Sequence, residues 1–380
     1  MKKTILLTLS HLLVAVLAAV LALQLTPGTE ISKLDQLEAL ILEQFIGESD
    51  RTAIEDAAAD AMVDALGDRW SYYIPASEYA AYLEQMQNAY VGVGITIQLD
   101  PEGRGFLVLD VTEGGPAEAA GVLADDILTA VEDTSAVGLD INATRDLVRG
   151  KEGTFVRMTF LRDGRELTLS VERRRIETAV AEWQMLPGDV GLVKIVNFDQ
   201  RCAQETIRGI EELLEQGARA LIFDVRGNPG GYASEMVKVL DYLLPEGDLF
   251  RTVDFAGRET LDKSDADFLD IPMVAIVNGE SYSAAEFFAQ ALREYDAALV
   301  VGEKTCGKGY FQYTYELKDG SAVGLSVGKY FTPKGLSLAE VGVTPDVELP
   351  MDAALWSDIY YGRVDPMSDP HILAALELLP

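Results

Sequence analysis

The spacing of hydrophobic residues changes twice along the chain. Leu34, Leu37 and Ile41 recur every three or four positions, which is the period of an amphipathic helix. From about Val91, apolar and polar residues alternate in short runs separated by glycine-containing turns, a pattern typical of half-buried strands. After Arg175, strand patterns alternate with helical ones, which predicts a sheet covered by helices. We therefore expect a helical region, then a compact β-rich unit, then an α/β core.

These changes divide the chain into five predicted segments. The first is an apolar run at the N-terminus, and the last is a helical tail after the final strand pattern. The expected boundaries are 1–28 for a signal peptide or membrane anchor, 29–88 for an N-terminal helical region, 89–174 for the β-rich unit, 175–350 for the α/β core and 351–380 for the C-terminal helical tail.

The N-terminal apolar run is long enough to span a membrane. Lys2 and Lys3 precede an apolar stretch from Ile5 to about Leu25. About 20 apolar residues cross a bilayer, and lysines before such a run fit the positive-inside pattern. Because the stretch ends without a clean Ala-x-Ala site, we favour an uncleaved anchor over a cleaved signal peptide. Either outcome places the rest of the chain outside the cytoplasm, anchored by this segment or secreted after cleavage.

The composition argues against several partners and cofactors. A formal net charge of −31 disfavours nucleic acid and anionic bilayer surfaces as partners, because charges of the same sign repel. The two cysteines, Cys202 and Cys306, form no metal-ligand spacing, and we expect two free thiols, although a disulfide is left open. The two histidines, His11 and His371, lie in the first apolar run and near the C-terminus. Nucleophilic chemistry at neutral pH would therefore need a base other than histidine.

Three loops that follow predicted buried strands could carry chemistry, because the sites of α/β proteins gather at the carboxyl ends of strands. The first loop, 226–231, reads Arg-Gly-Asn-Pro-Gly-Gly. It can be a tight turn with no further role. Alternatively, Gly230 and Gly231 can free backbone N–H groups to face a ligand oxygen, as an oxyanion hole requires.

The second and third loops contain a serine and a lysine. Ser283 and Glu286 have the spacing of a capping box, so Ser283 can be a structural N-cap. A serine at a helix N-terminus also lies near N–H groups that stabilise negative charge, and an oxyanion beside Ser283 would find a donor in the amide of Ala284. Lys308, between two glycines, is either a solvated residue or a lysine near an apolar cleft that can lose its proton and activate Ser283.

Together these motifs resemble those of the C-terminal processing peptidases, or tail-specific proteases, and they occur in the order of that family. Lys308 follows Ser283 by 25 residues, which is the family spacing. The matching stretches are Val91-Gly-Val-Gly-Ile95 for a carboxylate-binding loop, Gly115-Pro-Ala-Glu-Ala-Ala-Gly-Val122 for a turn of PDZ domains, Asp224-Val-Arg-Gly-Asn-Pro-Gly-Gly231 for an oxyanion-hole loop, Ser281-Tyr-Ser-Ala-Ala-Glu286 for the nucleophile pattern and Cys306-Gly-Lys-Gly309 for the lysine pattern.

The resemblance implies a Ser-Lys peptidase that needs no metal or organic cofactor. It implies Ser283 as the nucleophile, Lys308 as the base and Gln312 as the residue that supports the lysine. It also implies Gly230 and Ala284 as donors of the oxyanion hole. The fold that it implies is an α/β (α+β), crotonase-like protease core with an inserted PDZ domain.

The PDZ domain would capture the free C-terminus of a substrate, and the peptide-binding residues implied are Val91, Gly92, Val93, Gly94 and Ile95. The expected function is an exported serine endopeptidase that cleaves unstructured C-terminal tails through an acyl-enzyme. The expected partners are protein or peptide substrates with free C-termini. We expect no nucleic acid, and contact with a membrane only through the N-terminal segment. A homo-oligomer is left open.

The chain departs from the family pattern at three positions. Tyr282 stands where alanine is usual, Cys306 where an aromatic residue is usual, and Asp125 where the PDZ turn usually has glycine. These departures bear on the shape of the substrate pocket and on redox sensitivity. The alternative function is a non-catalytic PDZ peptide-binding adaptor, against which the intact Ser283 and Lys308 argue. A non-protease acyl hydrolase of similar fold is a second alternative, for which a PDZ domain would be superfluous.

Overall fold

The computed structural model describes residues 32–380, which fall into two compact units. The first unit ends at Gly67, and its helices are α1 (Lys33–Gln44) and α2 (Arg51–Asp64). Ser32 and Asp50 cap them, because each side chain accepts hydrogen bonds from first-turn amides that have no intrahelical acceptor. The predicted anchor, 1–28, lies outside the described residues. Within the described part of the chain, no helix is long and apolar enough to cross a membrane.

The second unit begins at Asp68 and opens with a β-rich part. Its elements are β1 (Tyr72–Ile74), α3 (Ala76–Met86), β2 (Ala89–Gly92), β3 (Ile95–Leu99), β4 (Phe106–Val111), α4 (Pro116–Ala119), β5 (Ile127–Val131), β6 (Thr134–Ser135), α5 (Ile141–Val148), β7 (Phe155–Arg162), β8 (Arg165–Glu172) and β9 (Arg174–Glu177). An antiparallel sheet has the order β3-β4-β5-β7-β8, so β3 is an edge strand. Its buried side chains, among them Phe106, Leu128 and Phe160, form a core of their own. The paired strands β2 and β9 are the first and last strands of this insertion.

The α/β core follows. Its elements are β10 (Ala181–Leu186), β11 (Val190–Ile195), α6 (Cys202–Glu215), β12 (Ala220–Asp224), α7 (Ala233–Leu243), β13 (Gly247–Asp254), β14 (Glu259–Ser264), β15 (Met273–Val277), α8 (Ala284–Glu294), β16 (Ala298–Gly302), β17 (Tyr310–Glu316), β18 (Ala322–Phe331) and β19 (Val347–Glu348). One sheet has the order β10-β11-β12-β15-β16-β19 and is parallel from β11 onward. A second sheet, β1-β18-β13-β14, also pairs β17 with β18. The expected α/β core with an inserted β-rich unit is confirmed.

The parallel sheet is covered on both faces, because successive side chains of a strand point to opposite sides. Phe223 packs into the cluster that contains Phe288 of α8, whereas its neighbour Ile222 packs with Ile372. Ile372 belongs to the C-terminal tail, whose elements are α9 (Ala353–Tyr360), a 3₁₀ turn (Pro366–Ser368) and α10 (Pro370–Leu378). The tail is therefore part of the hydrophobic core.

Candidate active site

The three candidate loops meet at one edge of the parallel sheet. They follow β12, β15 and β16, which are neighbours in that order, so their carboxyl ends lie side by side. Backbone hydrogen bonds join the loops: the Tyr282 N–H donates to the Asn228 carbonyl (3.1 Å), and the Cys306 N–H donates to the Ser281 carbonyl (3.2 Å). The order of the strands thus brings the predicted serine, lysine and glycine residues into one site.

Ser283 has an unusual backbone conformation at the start of α8. Its φ of 60° and ψ of −126° lie where side chains are disfavoured, which costs on the order of 1–3 kcal/mol and is typical of functional sites. The side chain is half-buried. The next residue, Ala284, supplies the first amide of the helix, which has no intrahelical acceptor. An N–H donor therefore adjoins the hydroxyl group.

Glu286 joins the serine loop to the lysine loop. Its side chain is fully buried, and its Oε2 accepts hydrogen bonds from the N–H groups of Ser283 and Lys308, both at 2.9 Å. Its Oε1 accepts from the Gly307 N–H (2.7 Å) and from Thr305 Oγ1 (2.5 Å). Burial raises the pKa of Glu286 although these donors lower it. The capping-box spacing predicted the contact with Ser283, but nothing in the sequence pattern indicated the contacts with the lysine loop.

Lys308 is half-buried, and burial lowers its pKa to about 8, although Glu286, Asp68 and Cys306 act in the opposite direction. Its Nζ makes no hydrogen bond to any of residues 32–380. It lies instead 4.8 Å from the ring centroid of Trp70 and 5.9 Å from that of Tyr282. With this pKa, roughly a tenth of the molecules carry a neutral lysine at pH 7, far more than for a lysine at its ordinary value of about 10.4, and the neutral form is the one that can act as a general base.

Gln312 does not hydrogen-bond Lys308 in this structure. Its Nε2 donates to Ser326 Oγ (3.0 Å) and to the Tyr310 carbonyl (3.1 Å). The pairing of β17 with β18 shifts register between Phe311 and Gln312, which changes the direction of the side chain relative to a regular strand. The family spacing gives the position of Gln312 but not this local irregularity.

Tyr330 is a further residue of the site that the sequence did not single out. Its hydroxyl donates to the Lys308 carbonyl (2.8 Å), and its oxygen lies 3.4 Å from Ser283 Oγ. Burial raises the pKa of Tyr330 far above its usual range, so the phenol stays protonated at any working pH. Its ring packs edge-on against Phe287, with the centroids 4.4 Å apart. The phenol therefore has a fixed position beside Ser283.

Gly230 approaches Ser283 closely, but its amide points elsewhere. A Cβ at this position would lie 2.7 Å from Ser283 Cβ, and its φ is 90°, so only glycine fits. Its N–H, predicted as an oxyanion donor, donates instead to Asn228 Oδ1 (2.8 Å). The Asn228 side chain is itself anchored to the Ile195 carbonyl (2.8 Å). Of the two donors that the resemblance implied, Gly230 and Ala284, only the Ala284 amide is not already engaged by a described residue in this conformation.

His371 is unavailable as a base for Ser283. One ring nitrogen lies 3.4 Å from Arg226 Nη1, and the other is 2.7 Å from the Leu349 carbonyl. Burial lowers the pKa of His371, so the ring is neutral. Arg226 also binds Asp224 and Asp369 through short hydrogen bonds. This buried cluster fixes the base of the 226–231 loop to the C-terminal tail.

The five predicted peptide-binding residues lie in the β-rich part. Val91 and Gly92 end β2 and pair with Arg175 and Arg174 of β9. Val93 and Gly94 form the loop that follows, and Ile95 begins the edge strand β3. The carbonyls of the loop are already bonded, that of Val93 to the Ala117 N–H (2.9 Å) and that of Gly94 to the Thr112 N–H (3.0 Å). These hydrogen bonds hold the loop in place immediately before β3, whose outer edge is not paired with another strand of the described chain.

Comparison with known proteins matches this chain to a peptidase family, a PDZ domain family and individual proteases. The peptidase family S41 matches residues 189–349, and the PDZ domain family matches residues 93–172. The carboxy-terminal processing protease CtpA of Bacillus subtilis (strain 168) is 30% identical over 373 residues, which cover 93% of this chain and 80% of that protein. A CtpA-like serine protease of Staphylococcus haemolyticus is 30% identical over 324 residues, and the chain spans 65% of its length. An S41 protease structure from Bacteroides fragilis covers 87% of this chain and 98% of its own, with a TM-score of 0.53 and 14% identity, and this likeness shows the fold alone.

Proposed function

This chain belongs to the carboxy-terminal processing proteases of peptidase family S41, and we propose that it hydrolyses peptide bonds with Ser283 as nucleophile and Lys308 as base. The observation that carries this proposal is the buried amino group of Lys308, whose pKa is lowered to about 8 in a loop that Glu286 ties to Ser283. A general base near pH 7 needs such a shift, because an exposed lysine would be almost fully protonated.

In the proposed reaction, Ser283 Oγ attacks the carbonyl carbon of the substrate while its proton passes to Lys308 Nζ. The tetrahedral intermediate collapses as the C–N bond breaks, and Lys308 returns the proton to the departing amine. Water then hydrolyses the acyl-enzyme with the same proton transfers. Gln312 would act on the lysine only after its side chain leaves Ser326, and the Ala284 amide would hold the oxyanion, joined by Gly230 if Asn228 releases its N–H.

We assign capture of the substrate tail to the PDZ domain. Its edge strand β3 has one unpaired side, which can add an extended peptide as a further strand. The loop from Val91 to Ile95 would bind the terminal carboxylate with backbone amides. Protein or peptide substrates with free C-termini are the partners proposed, and export by the segment 1–28 is part of the same proposal.

The direct test is covalent labelling of the full chain with a fluorophosphonate probe. We expect one labelled residue, Ser283, and no labelling or proteolysis of an unstructured substrate after Ser283→Ala. Ser32→Ala is the matched control, because it removes the serine N-cap of another helix and should cost about 1 kcal/mol of stability without loss of labelling. Labelling that persists in Ser283→Ala would overturn the nucleophile assignment, whereas a native chain that is not labelled at all would favour the PDZ adaptor function.

A further inference from the structure

Trp70 and Tyr282, named here the aromatic pair, lie beside the amino group of Lys308 and have no role in the proposed reaction. Their ring centroids are 5.9 Å apart, and Tyr282 immediately precedes Ser283. Both centroids are within 6 Å of Lys308 Nζ, the range in which a ring face attracts a cation. The position of Tyr282 usually holds alanine in the family that the chain resembles, so half of the pair is a departure of this chain.

The contact depends on the protonation state of the lysine. A ring face attracts an ammonium through its quadrupole but offers much less to a neutral amine. The neutral amine instead has a lone pair that can accept the hydroxyl proton of Ser283. Ser283 and Lys308 are close enough for the lysine side chain to contact either the aromatic pair or the serine hydroxyl. Their backbone N–H groups bind the same Glu286 oxygen and so lie within about two hydrogen-bond lengths of each other.

We propose, on the basis of the proposed Ser-Lys function, that the aromatic pair is a positioning site for the protonated amino group of Lys308. The lysine would leave this site as a neutral base to contact Ser283 Oγ and would return to it when charged. In this structure the amino group lies at the aromatic pair, and Ser283 Oγ lies next to the Tyr330 hydroxyl instead. The pair thereby influences the fraction of molecules in which Lys308 is neutral, and so able to act as a base, at a given pH.

Other groups around the lysine also bear on its titration. The exposed Arg69 is also at this site: its guanidinium lies 4.2 Å from the Trp70 centroid and donates to Cys306 Sγ (3.0 Å). The remaining titratable neighbours are Asp68 before β1, Glu286 on α8, Cys306 in the lysine loop and Tyr330 on β18. Tyr282→Leu leaves all of these groups in place, whereas Trp70→Leu also removes the ring against which Arg69 lies, so Tyr282 gives the cleaner comparison.

The test measures the pKa of Lys308 without using activity. The full-length protein is labelled with acetic anhydride across a pH series, and the labelling rate at Lys308 is followed by mass spectrometry. Trp70→Leu and Tyr282→Leu keep an apolar side chain but lose the ring face, so each should lower the pKa by about 0.5, since a cation–π contact contributes roughly 0.5–1 kcal/mol. Trp70→Phe and Tyr282→Phe keep a ring and should stay within about 0.2 of the native pKa.

The acid limb of the kcat/KM profile for an unstructured substrate gives the second readout. It should move to lower pH in the leucine variants, in step with the labelling pKa, and a purely structural role would not produce this shift. An unchanged or raised labelling pKa in the leucine variants would overturn the inference. A lowered labelling pKa without any shift of the acid limb would instead overturn Lys308 as the base. If Trp70→Leu fails to fold, the half-buried Tyr282 provides the same comparison.

Discussion

Two cations, the buried Arg226 and the half-buried Lys308, lie in neighbouring loops, and their surroundings shift their pKa values in opposite directions. Arg226 is almost fully buried and is held by Asp224 and Asp369, which overcome the effect of burial and raise its pKa. Lys308 has no such bonds to carboxylates, and burial lowers its pKa to about 8. A cation that is fully paired fixes structure, whereas a cation that is buried without hydrogen bonds can exchange its proton near neutral pH.

Under the proposed function, Arg226 has a structural role and Lys308 has a chemical role. Arg226 connects the end of β12 to the C-terminal tail, so its loss should affect folding first. Lys308 is tied to its surroundings by its backbone rather than by its amino group, so its side chain can change with little effect on the fold. Substitutions at the two positions should therefore separate stability from activity.

The largest expected effect is on activity, in Lys308→Arg and Lys308→Ala. Guanidinium stays protonated at any usable pH and alanine offers no base, so both variants should lose about 1,000-fold or more in kcat with nearly unchanged thermal stability. The matched control is Lys304→Arg in the same loop, where the side chain is exposed and activity should persist. Near-native turnover by Lys308→Arg would show that the lysine supplies only a positive charge.

The next effect is on stability, in Arg226→Met. The substitution leaves Asp224 and Asp369 buried without their partner and should lower the free energy of unfolding by about 3–5 kcal/mol in urea denaturation. Arg219→Met removes an exposed arginine that lies 3.7 Å from Asp189. This control should change the free energy of unfolding by less than about 0.5 kcal/mol. Equal effects of the two substitutions would contradict the structural role of the Arg226 cluster.

Asp199 is a buried carboxyl group that, unlike Arg226, has no partner of opposite charge in the part of the chain that the structure describes. It is 6% exposed, its Oδ1 has no hydrogen-bond partner among the described residues, and burial raises its pKa from 3.8 to about 7. A carboxyl group that is harder to ionise in the fold than in the unfolded chain destabilises the protein progressively as pH rises from about 4 to about 7.

Asp199→Asn should therefore stabilise the protein, with a gain that grows between pH 4 and pH 7 and reaches about 1–3 kcal/mol at pH 8. Denaturation curves at several pH values measure it. The control is Asp265→Asn, at an exposed acid, where the substitution relieves no burial of a carboxyl group and should give no comparable gain. A gain for Asp199→Asn that does not change with pH would show that this carboxyl group does not titrate as described.

The smallest effect is expected for Tyr330→Phe. It removes the hydroxyl beside Ser283 Oγ but keeps the ring against Phe287, so kcat should fall about tenfold with little change in KM. Tyr295→Phe also removes a phenol-to-carbonyl hydrogen bond, to Asp248, and should leave kcat unchanged. If both variants lose the same activity, the effect comes from stability and not from the position of the serine.

The sequence predicted the arrangement of the molecule better than the details of its site. The change of period near Val91 and the strand–helix alternation after Arg175 predicted an inserted β-rich unit and an α/β core, because both patterns follow from local backbone geometry. The resemblance gave Ser283 and Lys308 as a pair, and the strand order brings their loops together. The crotonase-like description of the core and the domain boundaries stay predictions.

The contacts that decide the chemistry were not predictable from the pattern. Trp70 reaches Lys308 from a distant part of the chain, and Glu286 bonds to the lysine loop as well as to its own helix. The direction of the Gln312 side chain depends on a local shift of strand register, and that of the Gly230 amide depends on the Asn228 side chain. Such features depend on tertiary packing, which neither propensity nor spacing encodes.

The most direct test of Lys308 as the base is the pH dependence of Ser283 acylation by a fluorophosphonate probe. The reaction needs the neutral lysine, so below the pKa the rate should rise about tenfold per pH unit and level off above about pH 8. Lys308→Ala should remove both the reaction and its inflection. An inflection near 6.5, or one that survives in Lys308→Ala, would contradict the account and require another base.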